Sequence, residues 1–384
     1  MIATQFYTFI RQYLIQIMKL KLLILFCTLT MLMSCKGQNS SKSTEKTFDN
    51  IRYGTLCDTV TSLSNAIMII YQDKKNSFWF GSRGQGVFKY NGKYILQYTV
   101  KHGLVSNDIW GIQEDKFGNI YLDTQDGVSK YDGKKFSTLT VNNNADNEWK
   151  SEPDDLWFKG NWNINGPYRF DGKSLHHLEF PKNKLADELQ AKFPNMNWSP
   201  YGLYSLYKDK KGNIWFGTSN LGIYRFDGKS ISWLYEKHLT DVEESGGSFG
   251  IRSIFEDSES KFWFCNTSYR FHIYPGDSIV SGKSLIRYQR EKGMESAKEK
   301  RDLIYFMSIT EDDKHNLLMA TYGDGVWRYD GKNMLHYPVR EGEKAITLFS
   351  IYKDNREELW LGTHEEGAYK FNGHSFEKFR PGEN

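Results

Sequence analysis

Short runs of alternating apolar and polar residues recur along the chain, and together they form one unit that is repeated seven times. A clear copy starts at Ile112–Asp115, continues after a turn as Ile120–Thr124, and ends as Gly127–Lys134. The copy at residues 206–229 has the same order of apolar, aromatic and glycine positions. Strict alternation over a few residues is typical of β-strands with two different faces. The pattern therefore predicts an all-β chain built from similar units.

Each unit predicts four antiparallel strands. The second run carries a large anchor residue, at Trp79, Tyr121, Trp157, Trp215, Trp263, Leu318 and Trp360. The third run ends on an aromatic residue 10 to 13 positions later, at Tyr90, Tyr131, Phe170, Phe226, Tyr274, Tyr329 and Phe371. Asp-Gly or Asn-Gly pairs such as Asp132-Gly133 then predict two-residue hairpins in which both residues take positive φ. Four antiparallel strands at this period predict a seven-bladed β-propeller over residues 63–380.

The unit resembles the two-component regulator propeller repeat, most clearly in Ile214–Thr218 (Ile-Trp-Phe-Gly-Thr) and Gly222–Lys229. The resemblance extends over about residues 63–380. It implies a β-propeller of the kind that forms the outer sensor of hybrid kinases and binds carbohydrate-like ligands. The chain carries no kinase or receiver pattern, so we expect the stand-alone, lipid-anchored type. The repeat is a scaffold pattern, and function has to be argued from the site itself.

Most of the repeated residues have a structural interpretation. Aspartates close the first strand of six units, and we expect them to accept backbone N–H groups in the next turn: Asp73, Asp115, Asp209, Asp257, Asp312 and Asp354. The anchors are expected in the core between blades. Cys265 occupies a position that holds Gly81, Gly217, Ala320 or Gly362 in other units, which predicts a buried thiol.

The candidate ligand site lies where the units differ. In a propeller, the loops that join strands two and three emerge at the same end as the connections between blades, and we call this end the top face. Residues two positions before the aliphatic residue of the first strand are expected around the upper channel: Met68, Trp110, Tyr204, Arg252, Met307 and Phe349. The third unit has Glu148-Trp149-Lys150 where an aliphatic first strand is expected.

Loop residues complete the predicted site. Arg270 stands where every other unit opens its third strand with glycine, and the loop Gly160–Asn165 places an aromatic residue among asparagines. Such a ring suits stacking on a sugar face while amides bond to hydroxyl groups; the alternative is a solvated loop. The predicted loop contacts are Arg83, Asn161, Trp162, Asn163, Arg270, Tyr322 and His364. The predicted partner is a small polar or glycan ligand, or a protein loop.

Catalysis is the competing hypothesis, either as a metal-assisted lyase similar to streptogramin lyases or as a lactonase-like hydrolase. Of nine histidines, only His364, beside Glu365, is placed where a base at the top of the channel could act. No His-x-His or His-Glu-x-x-His pattern is present to hold a metal. We therefore expect no cofactor and no metal site. A protein-interaction scaffold is the third hypothesis.

Charge and cysteine content exclude two classes of protein. Arg11, Lys19 and Lys21 are the only charged residues among the first 35, and the other 47 basic residues balance 47 acidic ones. This balance excludes a generic nucleic-acid binder with a strong basic excess. Four cysteines in 384 residues exclude a disulfide scaffold. We expect a monomer.

The N-terminus predicts the location of the protein. Lys19 and Lys21 precede an apolar run, Leu22–Met33, which has the length of a signal-peptide core. The run ends in Leu-Met-Ser-Cys, which resembles a bacterial lipobox, so residues 1–34 are predicted to be a lipoprotein signal peptide and Cys35 the lipidated residue. Residues 35–47 are predicted to be a flexible tether, and 48–62 an extra strand or lead-in. The prediction is a lipid anchor in the bacterial cell envelope, in the outer membrane facing the periplasm.

Overall fold

The structure is a computed structural model that describes residues 56–142, 148–240, 249–294 and 306–382. The predicted signal peptide, the lipidated Cys35, the tether and the first part of the lead-in lie outside the described residues. None of the helices within these four ranges combines the length and the apolar character that crossing a bilayer requires.

Each of the seven repeats contributes one group of antiparallel strands, which we call a blade and number by its repeat. Four-stranded blades keep the strands in chain order, each bonded to the next. The strands of blades 1 and 2 are Ile67–Gln72, Phe78–Ser82, Val87–Tyr90 and Ile95–Tyr98, then Ile109–Glu114, Ile120–Thr124, Gly127–Tyr131 and Phe136–Thr138. Those of blades 4, 6 and 7 are Leu203–Lys208, Ile214–Thr218, Ile223–Phe226 and Ile231–Leu234, then Phe306–Glu311, Leu317–Thr321, Val326–Tyr329 and Met334–Tyr337, then Leu348–Lys353, Leu359–Thr363, Ala368–Phe371 and Phe376–Lys378.

Blades 3 and 5 depart from this plan. Blade 3 has three strands in the described residues, Leu156–Phe158, Tyr168–Phe170 and Leu175–His177, and no first strand. Blade 5 has two short strands followed by a long hairpin, and its strands are Ile254–Glu256, Phe262–Phe264, Arg270–Val280 and Lys283–Glu291. The last strand of blade 5 pairs in parallel with the last strand of blade 4, so the two blades share one eight-stranded sheet.

The register of blade 5 corrects one prediction. Arg270 pairs with Trp263 as Arg225 pairs with Trp215 in blade 4. The third strand therefore has Phe271, not Tyr274, in the repeated aromatic position. Arg270 occupies the Lys/Arg position that precedes this aromatic residue in the other blades, and not the glycine position. The loop before it is short: Cys265 and Arg270 are five positions apart, whereas Gly217 and Arg225 are eight apart.

The hairpins between strands three and four differ from the prediction: in blade 2, four residues (132–135), and not two, separate the paired Tyr131 and Phe136. Gly133 takes a positive φ of 93°, but Asp132 does not. Instead, the side chain of Asp132 accepts the backbone N–H groups of Lys134 and Lys135, each at 2.9 Å. The aspartate therefore stabilises the turn through its carboxylate, which agrees with the preference of Asp for such turns.

The core lies between neighbouring blades. Trp215 is 1% exposed, and its indole N–H donates to Asp209 Oδ2 at 2.8 Å. Asp209 Oδ1 also accepts the backbone N–H of Asn213 in the following turn. The indole bond recurs in three other blades, in the pairs Trp79–Asp73, Trp263–Asp257 and Trp360–Asp354. In these four blades the repeated aspartate thus connects the turn to the buried anchor, a contact that the sequence did not predict.

Blade 1 closes the ring against blade 7. The backbone N–H of Gln72 donates to Tyr352 Oη at 3.0 Å, and Phe78 packs on Trp360 with ring centroids 4.7 Å apart. A short strand, Asp58–Val60, adds to the outer strand of blade 1. The helix Lys184–Lys192, the 3-10 turns Val100–His102 and Lys237–Thr240, and the hairpin strands Arg340–Glu341 and Lys344–Ala345 belong to connections between blades. The chain is a β-propeller whose first strands surround a common axis.

Candidate functional site

A cavity of about 360 Å³ lies where the first strands of the blades converge. It has the size and the mixed apolar and polar character of small-ligand sites. Nine of the residues predicted for the site line this cavity: Met68, Arg83, Trp110, Trp162, Tyr204, Arg252, Tyr322, Phe349 and His364. Met307, predicted for the same ring of first-strand positions, also lines it.

A repeated irregularity directs these side chains towards the axis. In five blades the register of strands one and two shifts by one residue, and in each case the residue left without a partner lines the cavity. These residues are Met68, Trp110, Tyr204, Met307 and Phe349. An extra residue of this kind is a β-bulge, which redirects a side chain and is frequent beside functional sites. The bulge explains why this position varies while the flanking positions repeat.

One wall of the cavity is a row of rings that ends on a cation. The Trp110 and Trp162 ring centroids are 5.2 Å apart, and Trp162 meets Tyr204 edge-on at 6.2 Å. The Arg252 guanidinium lies 4.4 Å from the Tyr204 ring centroid. Trp162 is 43% exposed, so it lies where the cavity meets solvent. This wall offers flat apolar surfaces next to a positive charge.

The opposite wall carries His364. Its ring stacks on Phe349 with centroids 5.3 Å apart, and its Nε2 lies 3.1 Å from Arg83 Nη1. Glu365, its neighbour in the chain, does not line the cavity and pairs with Lys344 Nζ at 3.1 Å. The predicted neighbours His364 and Glu365 stay in contact, with His364 Nδ1 3.6 Å from Glu365 Oε1, but each also has another partner, Arg83 for the imidazole and Lys344 for the carboxylate.

Behind the cavity wall, the second strand of each blade has a position that packs against the next blade. We call this position the slot, and it holds Gly81, Asp123, Lys159, Gly217, Cys265, Ala320 and Gly362 in blades 1 to 7. In blade 4 there is no room for a side chain, because a Cβ on Gly217 would lie 2.2 Å from Ser205 Oγ and 2.4 Å from the Ile251 carbonyl oxygen.

Blades 2 and 3 place charged residues in the slot. Asp123 is 2% exposed and accepts hydrogen bonds from the backbone N–H groups of Lys159 (2.8 Å) and Gly160 (3.1 Å). In a regular blade, a first strand would accept bonds from this part of the second strand. Since blade 3 has no first strand in the described residues, the carboxylate of Asp123 takes over that role. Lys159 Nζ in turn donates to the Trp110 carbonyl oxygen at 3.0 Å.

The surroundings of these two groups change their pKa values. Burial raises the pKa of Asp123, and the Lys159 charge together with the two N–H bonds acts in the opposite direction. Burial lowers the pKa of Lys159; the charge of Arg252 lowers it further, whereas Asp123 opposes the change. Both residues were missed in the sequence. A comparison of the slot across all seven units would have found them, because the other five positions hold Gly, Ala or Cys.

Three predicted site residues do not line the cavity. Asn161 caps its own loop, accepting the backbone N–H of Asn163 at 2.9 Å. Asn163 lies instead at a second cavity, beside the helix Lys184–Lys192, together with Trp198. Arg270 forms salt bridges with Glu259 (2.8 Å) and Glu291 (3.3 Å), as expected from its position in the third strand of blade 5. Within the described ranges, no group of three or more His, Cys, Asp or Glu side chains could hold a metal ion.

Comparisons with known proteins support the fold. The family model described as two component regulator propeller matches residues 198–220, which include the first two strands of blade 4. This match confirms the resemblance seen in the sequence for that repeat. No curated protein matches the chain significantly in sequence.

Two solved structures show how far the likeness extends. The extracellular domain of BT4673 from B. thetaiotaomicron, assigned to a one component system, is 20% identical with a TM-score of 0.54, and the match covers 81% of this chain. The chain spans only 39% of the length of that protein chain. Virginiamycin B lyase from Staphylococcus aureus is 14% identical with a TM-score of 0.55, covering 82% of this chain and 97% of the lyase. At these identities, the likeness shows a β-propeller fold and no more.

Proposed function

We propose that the chain is a cell-envelope protein whose propeller binds a polar, glycan-like ligand in the central cavity without transforming it. The observation that carries this proposal is the ring of β-bulges. Five blades each direct one variable side chain into the same cavity, and three of those side chains are aromatic: Trp110, Tyr204 and Phe349. Packing of the core alone does not require a large ring at the mouth of a cavity.

The lining suits recognition of a sugar. Trp162 and Tyr322, which are 43% and 54% exposed, present ring faces at the cavity edge where a pyranose ring can stack. Hydrogen-bonding groups for sugar hydroxyls come from Ser253 and Ser308 and from the cations of the lining, Arg83, Lys159 and Arg252. A stacked ring contributes about 1 kcal/mol beyond area burial, and each neutral hydrogen bond a net of about 1 kcal/mol. We therefore expect modest affinity that depends on individual rings.

The environment of His364 favours binding over catalysis. A general base needs a nitrogen free to accept a proton from the substrate. His364 Nε2 is already directed at Arg83, and the ring face is covered by Phe349. The lyase-like enzyme remains the alternative, and the variant His364→Ala separates the two. Under our proposal the unmodified protein binds the ligand without turnover, and the variant still binds it. For an enzyme, the unmodified protein would turn the ligand over and the variant would not.

The test is a glycan-array screen of the purified protein, followed by calorimetric titration of the tightest binder. Trp110→Ala and Trp162→Ala should each weaken binding about five- to fiftyfold, since each removes one stacking surface. Trp198→Ala is the matched control, because that ring lies beside the second cavity. Trp215→Ala should chiefly destabilise the fold, as expected for a buried anchor. Equal loss of binding in Trp198→Ala would place the ligand elsewhere and refute the proposal.

We also propose that Cys35 carries a lipid that anchors the protein to the outer membrane. The support is the charged start, the short apolar run and the Leu-Met-Ser-Cys ending in the sequence. Cys35→Ala should give protein that is unprocessed or released from membranes, whereas Cys57→Ala should be processed normally. Normal processing and membrane retention of Cys35→Ala at high salt would contradict the anchor.

A further inference from the structure

The charge of the cavity differs from the charge of the whole chain. Outside the first 35 residues, basic and acidic side chains are equal in number. The lining of the cavity, by contrast, includes the three cations Arg83, Lys159 and Arg252, and no Asp or Glu among the described residues. A site for a neutral ligand has no need of this bias, because each cation costs free energy when water is removed from it.

Two arginines in the third strands of blades 4 and 6 have acidic partners. Arg225 pairs with Asp277 at 2.7 Å, and Arg328 with Asp312 at 3.2 Å. Arg252 lies in a different environment: its guanidinium packs on the rings of Tyr204 and Phe249, at 4.4 and 5.1 Å from their centroids, and makes no salt bridge within the described chain. Aromatic faces tolerate a guanidinium but leave its edge available for an anion.

Lys159 lies at the other end of the same row of rings. Its Nζ donates to the carbonyl oxygen of Trp110, whose ring packs on Trp162. Trp162 in turn contacts Tyr204, and Arg252 packs on the Tyr204 ring. The nearest carboxylate, that of Asp123, is occupied by two backbone N–H groups. Arg252 lowers the pKa of Lys159, so the two cations interact unfavourably across the cavity. An anion between them would relieve that repulsion and replace lost hydration.

We infer that the cavity recognises an acidic sugar, whose carboxylate or sulfate group binds between Lys159 and Arg252 while its ring stacks on Trp110 or Trp162. This inference rests on the proposed binding function of the same cavity and specifies its ligand class. Both anionic groups offer the same chemistry, negatively charged oxygens that accept bonds from an ammonium and a guanidinium. Arg83, on the opposite wall with His364, supplies the third positive charge.

The experiment uses an array that carries uronate, sialylated, sulfated and neutral glycans. The tightest binder is then titrated beside a derivative whose carboxyl is reduced or whose sulfate is removed. We expect acidic glycans to bind, and the neutralised derivative to bind at least tenfold more weakly. Affinity should fall as salt rises, because the contact is ionic. The comparison of carboxylate with sulfate glycans distinguishes the two sources of the anion.

Variants assign the effect to the cavity. Arg252→Gln should reduce the preference for the acidic form, and Arg252→Lys should restore part of it. Lys159→Gln should also reduce the preference for the acidic form. If the Lys159 variant folds poorly, the two Arg252 variants still test the inference. Lys134→Gln is the control, since that exposed lysine lies in the hairpin between the third and fourth strands of blade 2, at the other end of the blades.

Three outcomes separate this inference from the function on which it rests. Preference for acidic glycans that depends on Arg252 supports the inference. A second outcome is that neutral glycans bind as tightly as their acidic forms and that Trp110→Ala weakens this binding. That result overturns the inference but leaves the binding function supported. No saturable binding by any glycan overturns both.

Discussion

Blades 3 and 4 are neighbours built from two copies of the same repeated unit. They differ in their first strand and in the residue at the slot. Blade 4 has a complete first strand, and glycine at the slot because a Cβ there would meet Ser205 and Ile251. Blade 3 lacks the first strand in the described residues and has Lys159 at the slot. The backbone bonds that blade 4 makes within its sheet are made in blade 3 by a carboxylate from blade 2, that of Asp123.

The difference shows where this scaffold accommodates charge. Outside blades 2 and 3 the slot holds Gly, Ala or Cys, and in five blades the bulge residue is the variable side chain that lines the cavity. In blade 3, where the described residues contain no first strand, the slot holds a lysine that lines the cavity. The aromatic loop of blade 3, with Trp162, extends over the same opening. Structural irregularity and candidate chemistry therefore coincide in one blade.

The largest effect is expected from Gly217→Ala in blade 4. The added methyl carbon would lie 2.4 Å from the Ile251 carbonyl oxygen, which belongs to backbone and cannot move without disturbing the next blade. We expect a loss of at least about 4 kcal/mol in the free energy of unfolding, measured by urea denaturation. Gly323→Ala is the matched control, because no atom lies within 4 Å of its Cβ and its φ is not positive. Equal stability of both variants would refute the packing argument.

Asp123→Ala should have the next largest effect. It leaves the buried backbone N–H groups of Lys159 and Gly160 without their acceptor and removes the acid nearest to the Lys159 charge. The expected loss is about 2–4 kcal/mol in the free energy of unfolding. Asp126→Ala, an exposed aspartate in the same blade, should change stability by less than about 0.5 kcal/mol. If Asp123→Ala were as stable as this control, the carboxylate would not be a needed acceptor for the backbone N–H groups of Lys159 and Gly160.

A small, pH-dependent effect is expected at the hairpin of blade 3. Burial would raise the pKa of Asp171, but hydrogen bonds from Ser174, His176 and Lys173 outweigh burial and lower it from 3.8 to about 2. A carboxyl with a lowered pKa stabilises the folded state above its unfolded pKa, and loses that contribution as the pH falls towards 2. Asp171→Asn should therefore cost under about 1 kcal/mol at pH 5, and less at pH 2.

The control for this effect is Asp227→Asn in blade 4. Asp227 accepts the same two backbone bonds in its hairpin but has no histidine in the position of His176. Thermal melting of both variants between pH 2 and 6 measures the difference. A larger acid dependence in the blade 4 variant would contradict the contribution of His176.

Much of the fold could be predicted because the same structural residues recur at the same positions in most units. Buried anchors such as Trp215 and turn aspartates such as Asp209 recur at fixed spacing, and both serve the structure of the blade. The ring around the cavity was predictable for the same reason: Trp110 and Tyr204 occupy one position that varies between otherwise similar strands. The bulge that makes this position face the axis is not visible in a pattern of apolar residues.

The errors arose where a unit changes length. The repeat pattern predicts the glycine position for Arg270 because the loop of blade 5 is short, whereas the pairing of Arg270 with Trp263 places it one strand position before the repeated aromatic residue. Asp123 and Lys159 were missed because the prediction concerned residues within a unit. Their role depends on hydrogen bonds between blades 2 and 3, and such a contact has no local signal.

The most direct test of ligand binding in the central cavity is a crystal structure of the protein with the tightest glycan from the array. We predict a sugar ring against Trp110 or Trp162, with its acidic group within hydrogen-bond distance of Lys159 and Arg252. A glycan bound beside Trp198 in the second cavity, with the central cavity free of ligand, would contradict it.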